Sequence, residues 1–279
     1  MNLFELFVKI GADTSEADKG IDETGKKTFG LGEKIKNGLA TVGKAAVVGV
    51  TAAATAIGTI GTKAVQAYAD YEQLVGGVET LFKDSQDKVM EYANNAYKTA
   101  GLSANEYMET VTSFSASLLQ SLDGDTSAAA EKANLALTDM SDNANKMGSD
   151  MTLIQNAYQG FAKANYTMLD NLKLGYGGTQ AEMQRLLEDA EKISGIKYDI
   201  SSYADIVDAI HVVQTEMGIT GTTAKEAAST IQGSFGMVKA AWKNLVTGLA
   251  DPDQNLGTLV GNFTDSIVVA GMPTSAAIT

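Results

Sequence analysis

The chain has no cysteine, two prolines, one tryptophan and one histidine in 279 residues. The missing cysteine excludes disulfides, thiolate metal sites and a cysteine nucleophile. Arginine is nearly absent too, Arg185 being the single one, and the net charge is −13. Nucleic-acid binding needs a basic face to exchange with phosphate counterions, so no direct contact with DNA or RNA is expected. Aromatics make up only 7% of the chain, and much of the 44% apolar content is alanine. Small side chains bury little area each, at ~25 cal/mol per Å² of apolar surface, so a compact core would be thin. The lone histidine, His211, sits at the edge of a stripe formed by Tyr203, Ile206, Val207, Ile210, Val213 and Met217. It reads as a boundary residue. There is no Ser/His/Asp set, no metal-ligand spacing and no phosphate cradle, so no enzyme, cofactor or metal site is expected.

With so little proline, most segments read as helix. The clearest is a stripe near the C-terminus: Ala224, Ala228, Ile231, Phe235, Val238, Trp242, Leu245 and Leu249. The spacing alternates between four and three residues, about 3.5 on average, which keeps one apolar seam on one helix face. Thr223-Ala-Lys-Glu226 reads as a capping box that starts this helix. Asp251-Pro252 stops it and opens the next, with Asp251 as N-cap and Pro252 in the first helical position. A seam this regular is made to be buried against another helix.

Charge is unevenly spread: residues 1–63 sum to +1 and residues 64–279 to −14. Phe4, Leu6, Val8 and Ile10 alternate with Glu5, Phe7 and Lys9, the period of a short N-terminal strand. Residues 45–62 carry no charge. Eighteen residues of helix span ~27 Å, close to the hydrocarbon thickness of a bilayer. Ala45, Gly49, Ala53 and Gly61 form a small-residue packing face there, which lets helices approach closely in water or in a membrane.

Further along, Ser103-Ala-Asn-Glu106 and Thr179-Gln-Ala-Glu182 read as capping boxes, and Asp125 and Ser149-Asp150 as helix starts. The helix after Ser103 places Tyr107, Val111, Phe114 and Leu118 inside. The one after Asp125 places Ala133, Leu137, Met140, Ala144 and Met147 inside, and the one after Asp150 places Ile154, Ala157, Tyr158 and Phe161 inside. The helix after Thr179 buries Met183, Leu186, Leu187, Ala190 and Ile193. Asp123-Gly-Asp125 fails as a calcium loop, because Ala128 and Asn134 stand where glycine and glutamate are needed. The glycines of Leu174-Gly-Tyr-Gly-Gly178 lack a following Gly-Lys-Ser/Thr and read as a turn.

Two long runs carry a resemblance. Asn171-Leu-Lys-Leu-Gly-Tyr-Gly-Gly-Thr179, followed by Glu182-Met-Gln-Arg-Leu-Leu187, resembles the core region of tape-measure proteins of long-tailed bacteriophages. Thr230-Ile-Gln-Gly-Ser-Phe-Gly-Met-Val-Lys-Ala-Ala-Trp242-Lys-Asn-Leu, with Leu249-Ala-Asp-Pro-Asp-Gln254, is similar to a further stretch of that region. The resemblance covers roughly residues 1–268.

It implies a structural role: an extended helical bundle around which the tube protein polymerises, with chain length setting tail length. The implied partners are other copies of the chain, the tail tube protein, tail-assembly chaperones, distal tail proteins and, through residues 45–62, the host membrane. The implied place is the tail lumen of the virion, with the host cytoplasm during assembly. The alternative is a membrane-inserting, pore-forming helical protein that uses residues 45–62.

The expected fold is mostly α, an elongated bundle of coiled-coil-like helices with one short N-terminal strand. Its expected parts are 1–37, a strand and polar helix; 38–67, an Ala/Gly-rich apolar helix; 68–250, the helical core; and 251–279, a further helix and an irregular end. Leu256, Val260, Phe263 and Ile267 continue the apolar spacing, and Gly271 and Pro273 then end it without a basic last turn. That ending predicts an incomplete product.

Overall fold

The structure, a computed structural model, describes residues 54–227, 231–251 and 253–270. Side chains are described from residue 63 onward, apart from those of Ile231 and Gln232. The expected N-terminal strand and the C-terminal end beyond residue 270 lie outside the described residues. Within them the chain is mostly helical and contains no strand. The helices are α1 (Ala54–Phe82), α2 (Gln86–Thr99), α3 (Ala104–Ser121), α4 (Thr126–Met147), α5 (Met151–Phe161), α6 (Gln180–Ser194), α7 (Tyr203–Glu216), α8 (Thr222–Ala227), α9 (Ile231–Ala250) and α10 (Leu256–Val269). Short 3-10 turns occupy Lys83–Ser85 and Leu169–Leu172.

Local chemistry starts most of these helices. Ser103 and Glu106 form a complete capping box on α3: the Ser103 hydroxyl accepts from the Glu106 amide, and the Glu106 carboxylate accepts from the Ser103 amide at 2.9 Å. Each partner satisfies one of the orphan amides of a first turn. Asp125 accepts from the amides of Ser127 and Ala128, and Asp150 from those of Thr152 and Leu153. The Asp125 carboxylate is thus committed to a helix start. Thr179 caps α6 through the Glu182 amide, but the Glu182 carboxylate reaches past it to the Gly177 amide.

The chain forms two compact units. Gln73–Met237 is one of them. In it, α3 and α4 are central: α3 packs on α2, α4, α5 and α7, and α4 also packs on α7 and α8. The expected inner faces of α3 and α5 are buried, with Phe114, Leu118, Ile154 and Tyr158 at 2% exposure or less. Burying a side chain of that size contributes ~1.5–3 kcal/mol. Two expected inner residues are at the surface: Ile193 near the end of α6 and Met217 just after α7.

On α4 the apolar stripe holds through Ala133, Leu137 and Met140 and then changes character. The buried residues that follow include Ser141, Asp142 and Asn143, with Asp139 one turn before Asp142. Ala144 and Met147, expected inside, are only half-buried.

The other unit contains the described residues 54–72 and 238–270. Here the Trp242 ring lies 5.3 Å from that of Phe263, so α9 packs on α10. A Cβ added at Gly248 would meet the end of the Leu259 side chain, so α9 and α10 approach closely here. α9 ends at Ala250, just before Asp251, and Pro252 lies outside the described residues, but Asp251 does not start α10. Asn255 does, accepting from the Thr258 amide, while the Asp251 carboxylate accepts from the Asp253 amide in a local turn. An Asx side chain satisfies whichever amide lies within two or three residues, and four residues separate Asp251 from Asn255. Tyr68 stacks near Tyr71, and burial together with the Asp251 and Glu72 carboxylates pushes the Tyr68 hydroxyl up to about 12.

Candidate functional site

The seam predicted as one helix is divided between two. Thr222–Ala227 forms α8 and Ile231–Ala250 forms α9, with 228–230 outside the described residues. A Cβ on Gly233 would lie 2.6 Å from the Glu226 carbonyl and 2.8 Å from the Ala227 amide. In one unbroken helix those positions would be two turns, ~10 Å, apart. The chain therefore turns back on itself before Gly233, and only glycine fits against the end of α8. The heptad spacing concealed this break because it continues on both sides.

Along the seam, Ala224 is exposed and Phe235 is 58% exposed. Val238, Leu245 and Leu249 are buried. Trp242 is half-buried against Phe263. Ala228 lies outside the described residues, and of Ile231 only the backbone is described. At Trp242 the seam meets Phe263 of the chain's own next helix. The start of α8 also differs from the expected Thr223 box: the Asp142 carboxylate, brought by α4, accepts from the Gly221 amide at 2.5 Å and the Thr223 amide at 2.7 Å.

Of the small-residue face, Ala45, Gly49 and Ala53 lie outside the described residues, and Gly61 falls in α1. Among the described residues no helix is long and apolar enough to cross a membrane, and no cluster of three metal-ligating side chains occurs.

The glycine-rich turn before α6 is closed by its own side chains. Arg185 donates to the Gly175 carbonyl at 2.8 Å and to Glu182, and its guanidinium lies 4.4 Å from the centre of the Tyr176 ring. Glu182 accepts from the Gly177 amide at 2.9 Å, the kind of amide a phosphate would need. Arg185 and that amide hold the Glu182 carboxyl down at about 2. Tyr176 donates to Asp189 at 3.1 Å, and Asp189 also pairs with Lys192. A Cβ at Gly178 would strike the Thr167 carbonyl, so the turn lies directly on the preceding loop. Lys173 ties the same segment to the end of α4, donating to the Met147 and Gly148 carbonyls. The side chains of Lys173, Tyr176, Glu182 and Arg185 in this run each have a partner within the chain.

The least expected arrangement is buried. His211 lies with Nδ1 at 3.0 and 2.9 Å from the two carboxylate oxygens of Asp139. The Asp139 side chain is 1% exposed and the imidazole 30%. Burial pushes the Asp139 carboxyl above its ordinary range, against the pull of His211. The hydrogen bond to Asp139 raises the imidazole above its ordinary value, and burial only partly opposes it. Tyr158 and Gln214 lie nearby and face one another, and among the described residues the Tyr203 hydroxyl is buried with no hydrogen-bond partner. Buried polar atoms of this kind are ordinarily satisfied by water.

The sequence places His211 correctly at the edge of the α7 stripe, yet Asp139 stands 72 residues away, and no local spacing joins them. The available signal is Asp139 and Asp142, two carboxylates falling among the inner positions of a helix that reads as apolar.

Compared with protein-family models, curated proteins and solved structures, the chain matches none of them.

Proposed function

We propose that this chain is a structural protein of a bacteriophage tail, of the tape-measure class, working through helix packing rather than chemistry. The observation that carries the reading is the run Asn171–Thr179 with Glu182–Leu187. It resembles the tape-measure core, and in the fold its side chains Lys173, Tyr176, Glu182 and Arg185 bond within the chain, which supports an architectural part. On this reading the partners are other copies of the chain, the tail tube protein, tail-assembly chaperones and distal tail proteins.

The test is made on phage particles from the source of the sequence. Mass spectrometry of purified tails is expected to find peptides of this chain. Deleting its coding sequence is expected to abolish tails or change their length. Normal tails without the chain would overturn the reading. Neighbouring genes for tail tube and tail-assembly proteins are a cheaper first check.

A further inference from the structure

We propose that Asp139 and His211 form a proton-operated latch between α4 and α7, fastened while the imidazole carries its second proton and loosened when that proton is lost to water. The geometry is specific. Among the described residues His211 is the one hydrogen-bond partner of the Asp139 carboxylate, and it meets both oxygens. The carboxylate is sealed from solvent, whereas the imidazole is partly open and can exchange its proton. With the imidazole charged, the buried negative charge has a counter-charge. With it neutral, one N–H can still reach Asp139, but the charge stands uncompensated in the protein interior, which is a costly state.

The surroundings reinforce this dependence. On α4, Asp142 lies one turn beyond Asp139, and Lys132 is paired with Asp208 of α7 near the imidazole. From α5, Tyr158 brings a buried hydroxyl, and from α7 Tyr203 brings another. From α3, Phe114 packs edge-on to Tyr203. On α6, Arg185 pairs with Glu182 and Asp189, Lys192 pairs with Asp189, Glu188 accepts from Gln184, and Glu191 is a further carboxylate. No cation other than His211 is hydrogen-bonded to Asp139. Asp142 in turn caps α8, so strain at Asp139 lies one helical turn from the junction that holds α8 to α4. The latch therefore joins α4, α7 and α8.

The sign follows from the raised imidazole. A histidine whose folded value exceeds its ordinary 6.5 adds stability below 6.5 and loses that contribution as pH rises through the folded value. Asp139, also raised, acts in the same direction.

The full chain contains a single histidine, so its imidazole gives one assignable proton resonance. That resonance is expected to titrate above 6.5 in the wild type and to fall back toward it in Asp139→Asn. Hydrogen exchange, corrected for intrinsic rates, is expected to show protection of α7 and α8 amides lost progressively as pH rises from about 5.5 to about 8.5, by a decade for each unit that the imidazole resonance is found raised. Asp139→Asn and His211→Gln are expected to remove that dependence. An imidazole titrating at or below 6.5 overturns the latch, and this holds even if neither variant folds. A raised imidazole with pH-independent protection of α7 and α8 also overturns it.

Discussion

Two polar clusters hold neighbouring parts of the same unit and are built on opposite terms. The Arg185 cluster is at the surface, with Arg185 donating to a carbonyl and a carboxylate and Tyr176 and Lys192 completing the set. The Asp139–His211 pair has one sealed member and one partner. In water a lost partner is replaced by solvent, so exposed ion pairs contribute little to stability. In the interior nothing replaces it, so removing one member costs far more than the intact pair contributes. Shared chemistry therefore says little about energetic weight, and burial decides it.

The strongest way to break this contrast is His211→Ala. It leaves Asp139 buried with no partner and is expected to cost about 3–5 kcal/mol in urea denaturation. The paired change of Asp139→Leu with His211→Leu is expected to recover most of that loss, because the unpartnered Asp139 charge is then gone. A small effect of His211→Ala would mean that Asp139 is accessible to water.

The seam offers the same contrast in apolar form. Leu245 is 1% exposed, and Leu245→Ala is expected to lower stability by about 2–5 kcal/mol. Trp242 is only half-buried, so Trp242→Ala is expected to fall below the ~3–5 kcal/mol of a fully buried aromatic. Phe235→Ala, at an exposed position, is expected to stay within about 0.5 kcal/mol in the isolated chain. A large loss there, appearing only at high protein concentration, would identify Phe235 as a contact between copies.

The smallest expected effects belong to the Arg185 cluster. Glu182 is held down at about 2 from an ordinary 4.5, so its contribution is present above 4.5 and is lost as pH falls toward 2. That direction is opposite to the pair's. Arg185→Lys is expected to weaken this acid-side dependence, the Gly177 amide remaining, and to leave the alkaline-side dependence untouched, and both are readable in one series of thermal melts across pH. Added salt is expected to flatten the acid limb far more than the alkaline one, because exposed charges are screened and buried ones are not.

What the sequence made legible follows from range. The starts at Ser103, Asp125, Asp150 and Thr179 depend on contacts two or three residues away, so residue order alone reveals them. The inner faces of α3 and α5 follow from periodicity within one helix. Three features were hidden because their partners are distant or their patterns are shared. The turn before Gly233 interrupts no spacing. Asp142 caps a helix that starts 80 residues later, between Gly221 and Thr223. Asp139 meets His211 across 72 residues. Asp251 was misassigned for a simpler reason: Asn255 offers the same chemistry four residues on, and the helix begins after the second of them.

Compactness of the Gln73–Met237 unit changes the arithmetic of a molecular ruler. As one straight helix its 165 residues would reach ~250 Å, at 1.5 Å per residue. Folded as a compact unit of that size, they have a radius of gyration of ~15 Å. On the proposed role, inserting or deleting residues within this unit would leave tail length unchanged, whereas equal changes in an extended segment would shift it by the helical rise. Such a chain would be graduated only where it is stretched out, and this unit would serve as an end fitting whose residues go uncounted.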